Sequence, residues 1–179
     1  MTFLFTDVEG STRLWETAPE AMRSALERHD AILRSAIEDH GGSVFATGGD
    51  AFAAVFPRAN DAVASALAAQ TALTKEPWHG DAPISVRMGL HTGVAEQRGE
   101  DYFGPVLNRA ARLMSDGYGG QVLLSAATEG LVRDGLPAGC GLVELGEYRL
   151  RDLGRPERLF QLVHPDLRRE FGRLRTLDA

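Results

Sequence analysis

The 179-residue chain has one cysteine, Cys140, which excludes a disulfide framework and any CxxC zinc site. No apolar run approaches the ~20 residues that span a bilayer. The amino end lacks the basic and apolar segments of a secretory signal. These absences point to a cytoplasmic protein with no membrane partner. Lysine is nearly missing: Lys75 is the only one, and every other basic residue is arginine, so a role reserved for lysine has one candidate. Positive charge is in deficit, with 19 Lys+Arg against 25 Asp+Glu and a net charge of −6. Coating of nucleic acid therefore has no electrostatic basis. What remains is ordinary for a globular chain, 44% hydrophobic and 25% charged, which excludes disorder and a fibrous protein. The length suits one domain that buries about 70% of its unfolded surface.

Phe3-Leu4-Phe5-Thr6 reads as a buried strand that Asp7 ends. Glu9-Gly10-Ser11-Thr12 opens a helix with hydroxyl caps available. Pro19 to His40 repeats apolar residues at helical spacing and stops at Gly41-Gly42. Ser43 to Phe56, interrupted at Gly48-Gly49-Asp50, reads as a β-hairpin. Asp61 to Thr74 is alanine-rich and helical. Ile84 to Leu90 alternates as a half-buried strand, and Val94 to Gln97 is expected to pair with it after Thr92-Gly93. Pro105 begins a helix to about Ser115. A strand at 121–124, a helix at 126–133 and a strand pair at 142–150 and 158–163 complete the order. Hairpins set between helices imply an α+β fold, a ferredoxin-like α/β sandwich. The domain is expected over residues 1–163, with a polar tail carrying four arginines over 164–179.

Asp7 at a strand end and Asp50 at a hairpin tip meet at one sheet edge if the first strand pairs beside the hairpin. Two carboxylates with open water positions suit Mg²⁺ or Mn²⁺, and such a pair can hold two ions for displacement at phosphorus. Taken singly, Asp7 is more often a strand-end cap and Asp50 a turn aspartate. Asn108 and Arg112, four apart, share a helix face that Arg109 does not. An amide and a guanidinium there can hold a ribose and the charge that grows on a phosphoryl group; the alternative is a solvated face. Asp101, in a loop ending at Gly104, is either an acceptor for the exocyclic amine of a base or equally a plain loop aspartate. Arg87, on a face with Ser85 and Gly89, is either a surface ion-pair partner or a triphosphate contact. His91 reads as structural. The other histidines have no metal spacing, and Ser11 has no triad partners.

Taken in order, these segments resemble the class III adenylyl/guanylyl cyclases. Phe5-Thr6-Asp7-Val8-Glu9-Gly10-Ser11-Thr12 is similar to the family's first metal motif, and Thr47-Gly48-Gly49-Asp50-Ala51-Phe52 to its second. Val86 to Gly93 resembles the strand that follows. Asp101-Tyr102-Phe103-Gly104-Pro105-Val106-Leu107-Asn108-Arg109-Ala110-Ala111-Arg112-Leu113 resembles the transition-state helix, and Gly119 to Ser125 continues the match. The resemblance covers about residues 2–163 and is greatest to bacterial cyclase domains.

The resemblance implies a head-to-tail homodimer with sites at the interface. One subunit supplies the metal-holding Asp7, Asp50 and Val8. The other supplies the catalytic Asn108 and Arg112 and the base-reading positions 46 and 101. It implies that Arg87 contacts phosphates, that two Mg²⁺ or Mn²⁺ ions serve each site, and that the substrate is a nucleoside triphosphate, ATP by the adenylyl-type pattern. The departure is Ala46, where adenylyl cyclases of the family carry a lysine. Asp101 is present, but Ala46 offers no donor to adenine, which relaxes base selection. The alternative reading is a cyclase-like nucleotide-binding or dimerisation module of a signalling or transcription regulator, with weak or no turnover. A diguanylate cyclase, suggested by Gly48-Gly49-Asp50-Ala51-Phe52, lacks support because the glutamate is absent and the Asn-Arg-Ala-Ala-Arg helix is present. Arg151, Arg155 and Arg158 flank the last hairpin and read as a solvent-facing basic turn.

Overall fold

The computed structural model describes residues 1–80, 82–151 and 153–176. The chain begins with β1 (Thr2–Val8), α1 (Ser11–Thr17), α2 (Pro19–Asp39), β2 (Ser43–Gly48), β3 (Ala51–Phe56), α3 (Ala59–Lys75) and β4 (Val86–Thr92). It continues through β5 (Glu96–Arg98), β6 (Asp101–Phe103), α4 (Pro105–Asp116), β7 (Val122–Ser125), α5 (Ala126–Val132), β8 (Gly141–Tyr148) and β9 (Glu157–Val163). Seven strands form one sheet in the order β2-β3-β1-β4-β7-β9-β8. Leaving aside the short α1, β1 to β4 with α2 and α3 follow the β-α-β-β-α-β order of the ferredoxin-like unit, so the expected α+β sandwich is what the chain forms.

The alternation of β1 separates two layers. Leu4 and Val8 enter the main core with Phe52, Phe56, Met88 and Leu90, beneath α2 and α3. Phe3 and Phe5 turn to the opposite face and pack with Phe45, Tyr102 and Val106. On α2, Met22, Ala25, His29, Ile32, Leu33, Ala36 and Ile37 are buried, a stripe at helical spacing. Ala62, Ala66 and Ala69 of α3 are fully buried and let that helix lie close to the sheet.

On the other face α4 runs back along β4. Val106 approaches Gly93, the backbone at Ala110 and Met114 presses on Gly89, and the Ser115 carbonyl lies by Arg87. A Cβ at residue 89 would stand 2.6 Å from the Met114 nitrogen, so only glycine admits this helix. The strand face that carries Arg87 and Gly89 is thus the seat of α4.

Two local expectations fail. Val94 to Gln97 does not pair with the preceding strand. Instead Glu96–Arg98 pairs with Asp101–Phe103 as a separate two-stranded ribbon, turned at Gly99 with φ 62°, a backbone shape glycine adopts without strain. Asp101 therefore starts a strand. The α1 helix has no side-chain cap; Gly10 precedes it at φ 68° and Ser11 and Thr12 are not used.

Residues 164–176 pack back on the domain. Gln161 donates to the Arg169 carbonyl (2.9 Å), Phe171 stacks on Tyr118, and the Arg175 N–H donates to the Asp116 carbonyl (3.0 Å). Residues 177–179 of the expected tail lie outside the described residues. No helix among the described residues is long and apolar enough to cross a membrane.

Candidate active site

The antiparallel register Thr6↔Phe52 sets the end of β1 beside the start of β3. Asp7 follows Thr6 and Asp50 precedes Ala51, so the two carboxylates belong to one edge of the sheet. The hairpin tip that carries Asp50 turns through Gly49 at φ 60°. On the other side of β1 the register is Asp7↔Arg87. Arg87 Nε donates to Asp7 Oδ1 (2.6 Å), its Nη2 donates to Asp7 Oδ2, and its Nη1 donates to the Ser115 carbonyl (3.1 Å). The pair is partly buried, where a two-pronged guanidinium–carboxylate contact is stronger than at the surface. Asp7 raises the Arg87 pKa most, burial opposes it, and the charges of Glu9 and Asp50 add to the rise. Asp50 therefore lies within electrostatic reach of the same guanidinium.

Glu9 fastens the loop after β1. Its backbone N–H donates to the Ser85 carbonyl, and its carboxylate accepts from the Gly119 N–H (2.9 Å) and from Arg175 (3.3 Å). Val8, expected among the metal-holding residues, is 3% exposed and belongs to the core through its side chain; only its backbone oxygen can serve as a ligand. Among the described residues no group of three or more His, Cys, Asp or Glu forms a cage. The donor set is two carboxylates and a carbonyl. It fits Mg²⁺ or Mn²⁺, which keep open positions for water and phosphate oxygens.

Asn108 and Arg112 sit on α4, Asn108 exposed and Arg112 half-buried. Asn108 lies about 10 Å along the helix from Ser115 by helix rise. Arg109 points elsewhere, as expected: its Nη1 donates to Glu157 Oε1 (2.6 Å). Phe45 and Tyr102 meet at 5.1 Å between ring centres. That contact lays the segment with Ala46 beside the segment with Asp101, both exposed. Next to Ala46 opens a hollow lined by Phe5, Thr47, Ala51, Ala53 and Met114, on the sheet face that α4 leaves bare. Arg158 is an exposed partner of Glu144 (2.9 Å), in line with a solvent-facing basic turn.

His91, read as structural, is buried and its Nδ1 shares a 2.6 Å hydrogen bond with Ser125. Burial, then the nearby Arg109 charge, push its pKa down to about 4. The sequence reading assigned nothing to Asp116. Burial raises its pKa to about 6 against the pull of Arg151, Arg112 and Arg87. A signal existed: Asp116 continues the buried stripe Val106, Ala110, Leu113 of α4, and a carboxylate on a core-facing stripe is unusual.

Comparison with known proteins sets this geometry in context. Residues 1–163 match the adenylate and guanylate cyclase catalytic domain family. An uncharacterised protein of Mycobacterium tuberculosis (strain H37Rv) is 49% identical over 98% of this chain and 60% of its own length. The chain thus spans only part of such relatives. An adenylate cyclase of Podospora anserina is 34% identical over 70% of this chain and 7% of its own. Among solved structures, an adenylate cyclase of Trypanosoma brucei, described in its monomeric state, superposes with a TM-score of 0.86 at 27% identity, covering 99% of this chain and 93% of that one. The adenylyl cyclase CyaB of P. aeruginosa gives 0.77 at 25% identity, with 96% of each chain covered.

Proposed function

Because the chain belongs to the adenylate and guanylate cyclase catalytic domain family, we propose that it is a nucleotide cyclase. It converts ATP to cyclic 3′,5′-AMP and pyrophosphate at sites shared between two copies. The observation that carries the reading is the register that sets Asp7 and Asp50 at the same end of neighbouring strands, with Arg87 paired to Asp7. In the reaction the ribose 3′-oxygen bonds to the α-phosphorus, the bond from that phosphorus to the bridging oxygen of the β-phosphate breaks, and the 3′-hydroxyl proton is lost. Asp7, Asp50 and the Val8 carbonyl would hold Mg²⁺ or Mn²⁺, which would supply a lowered pKa at the 3′-hydroxyl and offset the triphosphate charge.

The chain's own groups do the rest. Asn108 of the second copy orients the ribose, and Arg112 of the second copy binds the charge that develops on the transferring phosphoryl group, in the manner of an arginine finger. Arg87 offers its donors to phosphate. Asp101 accepts from the adenine amine. Ala46 has no side-chain donor, so adenine loses one contact and discrimination against other bases weakens.

Ala46 also favours a second reading, a nucleotide-binding module with negligible turnover. Incubation with each of the four nucleoside triphosphates and Mg²⁺ or Mn²⁺ separates the two. Cyclic product from ATP supports the cyclase; its absence with all four supports the module. Ala46→Lys is expected to raise the preference for ATP over GTP about tenfold, the worth of one charged hydrogen bond. An unchanged product ratio removes position 46 from base selection.

A further inference from the structure

Asp116 closes α4 on its buried side. It is 6% exposed, and its Oδ2 has no hydrogen-bond partner among the described residues. A carboxylate there meets the negative end of the helix dipole and loses hydration, both unfavourable. Arg151 before β9, then Arg112 one turn earlier on α4, then Arg87 of β4 supply the nearby positive charge. Of these, Arg87 already touches the end of α4, because its Nη1 donates to the carbonyl of Ser115, the residue before Asp116. Its other edge, Nε and Nη2, is committed to Asp7.

We infer that Asp116 is a positioning residue, the second carboxylate for Arg87. When a divalent ion takes Asp7, Arg87 gives up Asp7 and is retained at the end of α4 by Asp116 and the Ser115 carbonyl. The inference rests on the cyclase reading, which makes Asp7 a metal ligand. The physical need is plain. A dication and a guanidinium compete for one carboxylate, and a partly buried guanidinium released without another acceptor leaves an uncompensated charge. The unpartnered oxygen of Asp116 lowers that cost. Held by its Nη1 edge, Arg87 has five donors in a fixed fork, and the edge that leaves Asp7 becomes available to a phosphate oxygen. Asp116 thereby couples ion binding at β1 to the orientation of an arginine for the nucleotide.

The test is a double-mutant cycle on Mn²⁺ affinity, read by electron paramagnetic resonance on the full chain without nucleotide. Asp116→Asn preserves shape and removes the charge, and thermal melting reports that each variant is folded. Asp116→Asn is expected to weaken Mn²⁺ binding about tenfold, because Arg87 then stays on Asp7. In an Arg87→Gln background, which lacks the competitor, the same change is expected to alter affinity by no more than about twofold. Wild-type affinity in Asp116→Asn, or an equal loss in both backgrounds, overturns the coupling. Cyclic product from wild type alongside such a result leaves the cyclase reading standing while this inference falls. A wild type that binds no Mn²⁺ overturns both.

Discussion

The two ends of β4 carry polar side chains, and they are finished differently. At the Thr92 end the groups close on one another. His91 bonds to Ser125, the hydroxyls of Thr92 and Thr128 lie 2.9 Å apart, and Thr2 and Thr92 are joined at 2.9 Å. At the Val86 end Arg87 pairs with Asp7 within reach of the charges of Glu9 and Asp50, and the Oδ2 of Asp116 is unpartnered among the described residues. A network satisfied internally rigidifies a fold. A cluster of carboxylates with spare lone pairs has capacity left for a ligand. The difference teaches that the same strand serves as scaffold at one end and as candidate site at the other.

The largest expected effect breaks the open end. Asp50→Ala is expected to reduce metal-dependent cyclic product at least about 10³-fold, with the melting temperature little changed because Asp50 sits on an exposed hairpin tip. Full turnover in that variant, or in wild type without divalent ions, ends the two-carboxylate reading. Arg112→Ala is expected to lower kcat about 10³-fold with a smaller change in KM. A change confined to KM would make Arg112 a binding residue only.

Smaller effects sharpen the contrast through pH. Asp116 has its folded pKa raised from 3.8 to about 6. Its ionisation disfavours the fold above about pH 6, and that penalty disappears as the pH falls from about 6 to below 4. Asp116→Asn is expected to stabilise the protein by about 1–3 kcal/mol at pH 8, with the gain gone by pH 4, as urea unfolding would show. A gain of the same size at both pH values would point to packing rather than charge. His91 has its folded pKa lowered from 6.5 to about 4. Its contribution is present above pH 6.5 and is lost as the pH falls toward 4, where the unfolded chain binds the proton first. His91→Gln is expected to flatten this limb of the stability profile while costing about 1 kcal/mol at pH 7.5. An unchanged acid limb assigns the titration to another group.

Much of the fold was legible because period and punctuation agree. The α2 stripe, the Gly-Gly-Asp hairpin tip and the alternation around Arg87 each carry their own signal. The ribbon of β5 and β6 was not, because Thr92-Gly93 resembles a turn while the turn actually used is at Gly99, and α4 begins against Gly93. Asp7 and Asp50 stood out as acids at element ends. Asp116 was passed over because its significance comes from what packs around it, not from a motif.

The amino-acid order by itself determined most of the elements, the mixed α+β class and the family motifs, since these depend on local periodicity, turn chemistry and residue type. Only the tertiary structure decided that Arg87 pairs with Asp7 across neighbouring strands, that α4 lies on Gly89 and that a buried carboxylate ends that helix. Those contacts join residues as much as 80 positions apart. Their energies come from shared burial and altered hydration, which exist only once the chain is packed.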